Sequence, residues 1–237
     1  MNNQAQTLNT QDITLCLTIG KRPELLRQTL NSLLSKAQFK QIIAINDFRD
    51  EETNLVFKEL CPEGLLISLQ NQVGHHKAVD EMYSKVETAY IFHCEDDWYF
   101  DQSFDFEKYI KILSQNKNAT QLCFRKINDF PFSEDEKSKI QYIKSEPVNL
   151  VRLDSLHDQW HGYTFNPHLA STELWKSFPK GFSEFKKERH ISRQLRAKNL
   201  YTLFLEDGIC HHIGDDNSVA NASKKSWFAK WKGKIFG

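Results

Sequence analysis

The sequence predicts an α/β protein: a single domain with a mostly parallel central sheet flanked by helices. Short apolar runs alternate with amphipathic segments through the first half of the 237 residues. The order strand, helix, strand at this spacing is typical of βαβ units, which build parallel sheets. No linker rich in Gly, Ser or Pro divides the chain, and its length suits one domain or a small pair.

Four strands and three helices are predicted before residue 98. The strands are the apolar runs at Ile13–Ile19, Gln41–Asn46, 65–69 and 89–92. Pro23 opens the first helix, because proline is favoured at the first helical position, and leucines every three or four residues give that helix one apolar face. The other two helices are predicted at 50–60 and 75–86.

The second half is less regular. Helices are predicted at 104–115 and 185–198, and strands at 121–127 and 201–205. The polar and acidic segment 128–147 is predicted as a loop, and the aromatic segment 160–171 as a strand and a turn. The predicted domain therefore covers residues 13–216, between a polar N-terminal extension at 1–12 and a tail at 217–237.

The composition disfavours several classes of protein. Lys plus Arg is 31 and Asp plus Glu is 31, so the basic surplus expected of a nucleic-acid-binding protein is absent. No apolar run approaches the roughly 18 to 20 residues of a membrane span, and the N-terminus does not resemble a secretory signal. Five scattered cysteines without a CxxC pair argue against a disulfide framework. We therefore expect a cytoplasmic protein.

The tail at 217–237 has a different composition. It contains five lysines and no acidic residue, so it carries a charge of +5 and the rest of the chain −5. Trp227, Phe228, Trp231 and Ile235 would share one face of a helix. This pattern is typical of a helix lying on anionic lipid, as a peripheral protein on the inner face of a membrane would have. The alternative is a tail that docks its aromatic residues on the domain or on a partner protomer.

Three carboxylates, Glu95, Asp96 and Asp97, follow the fourth predicted strand. Ligands bind beyond the carboxyl ends of the strands in parallel α/β sheets, so this triplet should share one edge with Gly20–Arg22 and Asp47. Adjacent carboxylates suit a hard divalent cation such as Mg²⁺ or Mn²⁺. A solvated acidic turn is the alternative interpretation.

Two further segments offer polar ligands near this edge. His212 follows a predicted strand and could complete a metal shell, or it could be a surface histidine. Lys77 lies at the start of the helix after Gly74, where a phosphate could bind, although an ordinary helix start explains it equally. The sequence has no Walker pattern and no GxGxxG, which disfavours kinases, P-loop ATPases and dinucleotide-binding domains.

The last candidates surround the predicted helix at 185–198. Glu184 or Glu188 could act as a general base, or could simply complement the helix dipole. Trp160 and His161 belong to an aromatic segment that could stack on a sugar ring, or that could equally be core.

In this order, the segments resemble the GT-A glycosyltransferases, family 2 above all. Six separate segments contribute to the resemblance, and the match as a whole extends over roughly residues 13 to 215. They are TIGKRPELLRQTLNSLL at 18–34, INDFRD at 45–50, NQVGHHKAVDEMY at 71–83, YIFHCEDDWYF at 90–100, FSEFKKERHISRQL at 182–195 and HHIGDDNS at 211–218. The sequence departs from the family pattern in two places: Asn46–Asp47–Phe48 replaces Asp-Asp-x-Ser, and Glu95 replaces an aspartate of the metal motif.

The resemblance implies a role for each candidate residue. The donor-binding residues would be Thr18, Arg22, Asp47, Lys77, Glu95 and Asp96. The metal ligands would be Asp97, Glu95 and His212, holding Mn²⁺ or Mg²⁺. Glu188 would be the catalytic base, with Glu184 in reserve, and Trp160 and His161 would bind the acceptor.

The implied function is a metal-dependent, inverting glycosyltransferase of a Rossmann-like GT-A fold. It would move a sugar from a nucleotide-sugar donor, with a UDP-sugar favoured, to a hydroxyl of a glycan or lipid-linked saccharide in surface polysaccharide synthesis. Two alternatives stay open. A nucleotidyltransferase acting on sugar phosphates would use similar elements, but would normally have a Gly-rich basic loop where this chain has only Gly20–Lys21–Arg22. The other is a non-catalytic domain that binds nucleotides or sugars.

Overall fold

A computed structural model describes residues 12–144 and 148–214 of the protein. The N-terminal extension, apart from its last residue, and the basic tail at 217–237 lie outside the described residues. Within them, no helix combines the length and apolar character that a membrane crossing requires.

Strands and helices alternate regularly as far as residue 95. The strands are β1 (Ile13–Ile19), β2 (Gln41–Asn46), β3 (Leu65–Ser68), β4 (Tyr90–Glu95), β5 (Trp98–Phe100), β6 (Ala119–Cys123), β7 (Gln141–Ile143), β8 (Leu150–Arg152), β9 (His168–Ser171), β10 (Tyr201–Leu205) and β11 (Cys210–His212). The helices are α1 (Pro23–Leu34), α2 (Glu51–Leu60), α3 (His75–Tyr83), α4 (Phe106–Gln115), α5 (Glu134–Lys139), α6 (Thr172–Lys176) and α7 (Glu188–Arg196). Short 3₁₀ helices occur at Ile127–Asp129 and Phe182–Glu184.

Nine of the strands in the described part of the chain form one sheet, in the order β3-β2-β1-β4-β9-β6-β10-β8-β7. Neighbouring strands from β3 to β4 are parallel, as are β6 and β10, whereas β9 and β8 run against the others. The predicted fold class, a mostly parallel sheet flanked by helices, is confirmed.

The central strand β1 shows why its sequence is apolar throughout. Leu15 and Leu17 face one hydrophobic core, which also receives the buried leucines of α1. Cys16, on the opposite face, belongs to a second core with Val79 and Met82 of α3. Because helices cover both faces, an alternating pattern would bury polar groups, and a continuous apolar run is the stable solution.

The second half contains structure that the sequence prediction missed. The segment 128–147, predicted as a loop, includes α5 and the edge strand β7. Helix α5 begins with a capping box, in which Ser133 and Glu136 satisfy each other's backbone N–H groups. The segment 160–171 forms a strand only in its last four residues, and β6 begins two residues earlier and ends four residues earlier than predicted.

Strands β5 and β11 form a two-stranded antiparallel sheet, which was also not predicted. Strand β5 follows β4 in the chain, so this small sheet lies beyond the carboxyl end of β4. The N–H of Trp98 donates to Thr29 Oγ1 at 3.0 Å, and the N–H of Phe100 donates to Ser32 Oγ at 3.2 Å. These two buried hydroxyls of α1 supply partners to backbone groups that the main sheet cannot reach. They fix the chain immediately after the acidic triplet.

Candidate active site at the carboxyl edge of the sheet

A cavity of about 640 Å³ opens at the carboxyl ends of β1, β2 and β4. This is the edge that the parallel topology predicted for a ligand. The cavity brings together most of the predicted donor, metal and catalytic residues: Thr18, Arg22, Asp47, Glu95, Asp96, Asp97, Glu188 and His212.

The acidic turn is bonded to the junction between β1 and α1. Glu95 is the last residue of β4, and Asp96 and Asp97 connect it to β5. Asp96 is fully buried, and its Oδ2 accepts the Gly20 N–H at 2.9 Å. Its Oδ1 accepts a hydrogen bond from the Arg22 guanidinium. Asp96 therefore organises the cavity wall from within the protein.

Asp97 is the carboxylate with an unused oxygen. Only 4% of the residue is exposed. Its Oδ2 accepts a second hydrogen bond from Arg22 and lies 2.9 Å from Nε2 of His212. Its Oδ1 is buried and has no hydrogen-bond partner among the described residues. Because a buried unsatisfied oxygen is costly, this atom points to a ligand that residues 12–144 and 148–214 do not supply.

The pairing of β5 with β11 explains how His212 reaches Asp97. Trp98 and His212 are directly opposite in the ladder, and the Ile213 N–H donates to the Asp97 carbonyl at 2.9 Å. A side chain at Gly214 would overlap the Asp97 carboxylate, so the chain can pass this close only as glycine. The His-x-Gly segment thus has a steric reason for its composition.

The three carboxylates differ in their electrostatics. Removal from water, reinforced by Asp97 and Glu188, raises the pKa of Glu95 to about 8. Burial also raises the pKa of Asp96, to about 7, although Arg22 opposes this shift. Burial acts against ionisation of Asp97 as well, but the hydrogen bonds and charges of His212 and Arg22 outweigh it and hold its pKa below the ordinary value. Asp97 is thus the most readily ionised of the three.

The donor types at this turn fit a hard divalent cation. Carboxylate oxygens are the ligands that Mg²⁺ and Mn²⁺ prefer, and the unsatisfied Asp97 Oδ1 is an atom that such an ion would satisfy. Residues 12–144 and 148–214 contain no group of three His, Cys, Asp or Glu side chains arranged to hold a metal ion. Asp97, Glu95 and His212 remain the predicted ligands.

Asp47 holds a loop at the side of the cavity. Both of its carboxylate oxygens accept backbone N–H groups, from Val73 at 2.6 Å and from Gly74 at 2.8 Å. The residue is nearly buried, and the loop it fixes adds Gln72 to the cavity lining. Phe48, next in sequence, lines the same region. A direct contact of Asp47 with a nucleotide stays a prediction.

Glu188 stands where this cavity meets a smaller one. It is the first residue of α7 and lines both cavities. Removal from water raises the pKa of Glu188 to about 7, although hydrogen bonds from the Thr164 side chain and the Phe165 backbone favour its charged form. A carboxyl with this pKa exchanges protons readily near neutral pH.

The smaller cavity has a volume of about 260 Å³ and an aromatic lining. Trp160 and His161, the predicted acceptor residues, line it together with Phe130 and Phe204. Burial lowers the pKa of His161 to about 4, so this ring is neutral at physiological pH. Its backbone has a φ of 68°, an unusual value for a residue with a side chain.

Two predicted site residues lie apart from both cavities. Lys77 is exposed on α3, and Glu184 is exposed in the 3₁₀ helix that precedes α7. The structure also adds residues that the sequence analysis did not propose. Thr164 and Asn166 come from the segment before β9, and their side chains are hydrogen-bonded to each other at 2.5 Å. Nothing in the sequence of this segment distinguishes a site from a loop.

No protein-family model matches the sequence, and no curated protein matches it. Solved structures, in contrast, do match it. The mannosyltransferase PcManGT from Pyrobaculum calidifontis, in complex with GDP-Man and Mn²⁺, has a TM-score of 0.64 at 10% identity, covering 87% of this chain and 58% of that chain. The S. aureus TarS fragment 1-349, also a glycosyltransferase, has a TM-score of 0.56 at 14% identity, covering 86% and 60%.

These similarities show that the chain has the GT-A fold of glycosyltransferases, as its motifs predicted. The chain spans about three fifths of the length of each of these two proteins. At such low identity the likeness concerns the fold.

The raised pKa of Glu188 generates a prediction about stability. Because the pKa is about 7 in the folded protein against 4.5 ordinarily, the folded state holds this proton more tightly than the unfolded state. Ionisation therefore lowers stability progressively as pH rises from about 4.5, and the full cost, on the order of 3 kcal/mol, is reached above pH 7. Glu188→Gln should be more stable than wild type at pH 8 and similar to it at pH 4.5, by chemical denaturation.

Glu184→Gln, at an exposed position, is the matched control. A Glu188→Gln protein that is no more stable than wild type at pH 8 would contradict the environment described for this carboxyl.

Proposed function

We propose that this protein is a glycosyltransferase that moves a sugar from a nucleotide-sugar donor to a hydroxyl group of an acceptor. The observation that supports this most strongly is the position of Glu188 between two cavities, one ending at the acidic turn and the other lined by aromatic rings. A transfer reaction needs a donor and an acceptor to meet at a proton-accepting group. The same fold in PcManGT is found in complex with GDP-Man and Mn²⁺.

The larger cavity suits the donor. Its volume of about 640 Å³ lies within the range of small-molecule sites. Arg22, on its wall, offers the planar guanidinium that recognises phosphate oxygens in pairs. Thr18 and Asp47 line the part of the edge formed by β1 and β2, where we place the nucleoside. A UDP-sugar is the predicted donor, and the GDP-Man of PcManGT makes guanine nucleotides the first comparison.

A divalent cation, Mn²⁺ or Mg²⁺, is part of the proposal. Asp97 would hold it through its unsatisfied oxygen, with Glu95 and His212 as further candidates. When bound, such an ion neutralises the negative charge that develops on the departing nucleoside diphosphate.

Glu188 is the base in this proposal. It would take the proton of the acceptor hydroxyl as that oxygen attacks the anomeric carbon from the side opposite the leaving group, and the sugar configuration would invert. Its pKa of about 7 suits proton transfer near neutral pH. Glu184, the predicted reserve, is exposed and lines neither cavity, which favours Glu188.

The smaller cavity suits a saccharide acceptor. Trp160 and His161 provide ring faces on which the apolar face of a sugar can stack, and Asn166 and Glu188 provide polar groups for its hydroxyls. A lipid-linked saccharide in surface polysaccharide synthesis would bring this acceptor to a membrane. The basic tail at 217–237, which lies outside the described residues, would then hold a cytoplasmic enzyme at the inner face.

The donor assignment predicts metal-dependent nucleotide binding. UDP, GDP and CDP, each with and without Mn²⁺, should be compared by thermal shift. A nucleotide at about 100 times its dissociation constant should raise the melting temperature by roughly 5–10 °C, because it binds only the folded state. Asp97→Asn should lose this rise, while Glu107→Gln, at an exposed position on α4, should keep it. The absence of a shift with every nucleotide would contradict the donor assignment.

The base assignment predicts a selective loss of turnover. Glu188→Gln should lower kcat by roughly 10²–10⁴-fold and leave donor affinity almost unchanged, since Gln cannot accept the proton. The wild-type rate should rise with pH through about 7 as Glu188 ionises, and this rise should be absent from the variant. The measurement is release of nucleoside diphosphate from the donor found by thermal shift, with a panel of saccharide acceptors.

Glu184→Gln is the control for this experiment and should retain wild-type kcat. Loss of turnover in Glu184→Gln with activity retained in Glu188→Gln would exchange the two roles. Nucleotide binding without any sugar transfer would favour a non-catalytic binding domain.

A further inference from the structure

A side chain of the protein, that of Arg22, already supplies a positive charge at the acidic turn. The N–H groups of Arg22 Nη2 donate to Asp96 and those of Nη1 donate to Asp97, so the guanidinium bridges the two carboxylates. Only 18% of its side chain is exposed. This arrangement places one positive charge against two buried carboxylates.

The same contacts leave the turn incompletely satisfied. Arg22 and His212 both use Oδ2 of Asp97, and Oδ1 stays buried with no partner in the described part of the chain. A divalent cation at Oδ1 would lie beside the guanidinium on the same carboxylate. The cation and the guanidinium would then bind the two oxygens of one carboxylate. Positive groups so close together repel each other strongly in a site that is largely withdrawn from water.

We propose that Arg22 is a displaceable internal counter-cation, whose guanidinium must leave Asp97 before a divalent cation can bind there. The inference rests on the proposed function and deepens it, because it concerns how the same site is regulated. The free protein then holds the metal weakly, since binding must first break the pairs that Arg22 makes with the acidic turn.

The donor offers the guanidinium a new partner. A diphosphate carries oxygens that an arginine can bind in pairs, as it binds the two carboxylates here. Capture of Arg22 by the diphosphate frees Asp97 for the metal, so each ligand favours the other. By thermodynamic linkage, the nucleotide must raise metal affinity by the same factor as the metal raises nucleotide affinity.

A purely structural ion pair makes a different prediction. Removing Arg22 would then leave the two buried carboxylates without the guanidinium that bridges them and lower stability, with no gain in metal affinity. The two accounts separate in a measurement that needs neither donor nor turnover, which is the affinity of the free protein for Mn²⁺.

The experiment is a titration with Mn²⁺ in the absence of nucleotide, followed by the electron paramagnetic resonance signal of the free ion. Arg22→Met should bind Mn²⁺ at least about tenfold more tightly than wild type, because the competing charge is gone. Arg27→Met is the matched control: it lies on α1, which Arg22 immediately precedes, pairs with Glu59 at the surface and should behave as wild type. Adding Asp97→Asn to Arg22→Met should abolish the gain, which assigns it to this carboxylate.

An Arg22→Met protein that binds Mn²⁺ no more tightly than wild type overturns the proposal. If this variant folds poorly by circular dichroism, Arg22→Met/Asp96→Asn provides the second test, since it also removes the buried charge that Arg22 leaves behind. The same gain is expected there, and its absence is equally decisive. Failure of every nucleotide to bind wild type would overturn the proposed function, whereas the Mn²⁺ titration would still decide the role of Arg22.

Discussion

The burial of Asp96 and Asp97 at the end of β4 is the constraint on which the architecture of the site depends. A buried carboxylate without partners is costly, so the chain must bring donors to it. These donors are Gly20, Arg22 and His212, and they come from the β1–α1 junction and from β11, more than 100 residues apart in sequence. The acidic turn therefore joins both ends of the described chain around one cavity.

The first half of the fold could be predicted because its information is local. Strands β1, β2 and β4 are apolar runs buried on both faces, and the helices between the first four strands have apolar stripes and clear start signals such as Pro23. The position of the site followed from the same pattern, since parallel strands place Arg22, Asp47 and Asp97 at one edge. The later segments were harder, because β7, β8 and β9 have three or four residues each and depend on distant partners.

The parts of the site that escaped prediction depend on tertiary contacts. Thr164 and Asn166 reach the cavities only because the segment before β9 is packed beside α7, where the Gly162 N–H donates to Ser192 Oγ, and no local pattern marks them. The pairing of β5 with β11 is likewise invisible in sequence, although it decides where His212 lies. Lys77 is the opposite case, in which a local pattern did suggest a site. The helix start after Gly74 suits phosphate, but the Lys77 side chain lies in solvent, outside the cavity.

We propose that a nucleotide-sugar binds at the acidic turn, and the decisive experiment is a crystal structure of the protein with a nucleoside diphosphate and Mn²⁺. We expect the diphosphate between Gly20–Arg22 and Asp97, with the nucleoside towards Asp47 and Glu188 on the side of the transferred sugar. A nucleotide bound elsewhere on the molecule, or a cavity that stays free of it at saturating concentration, would contradict binding at the acidic turn.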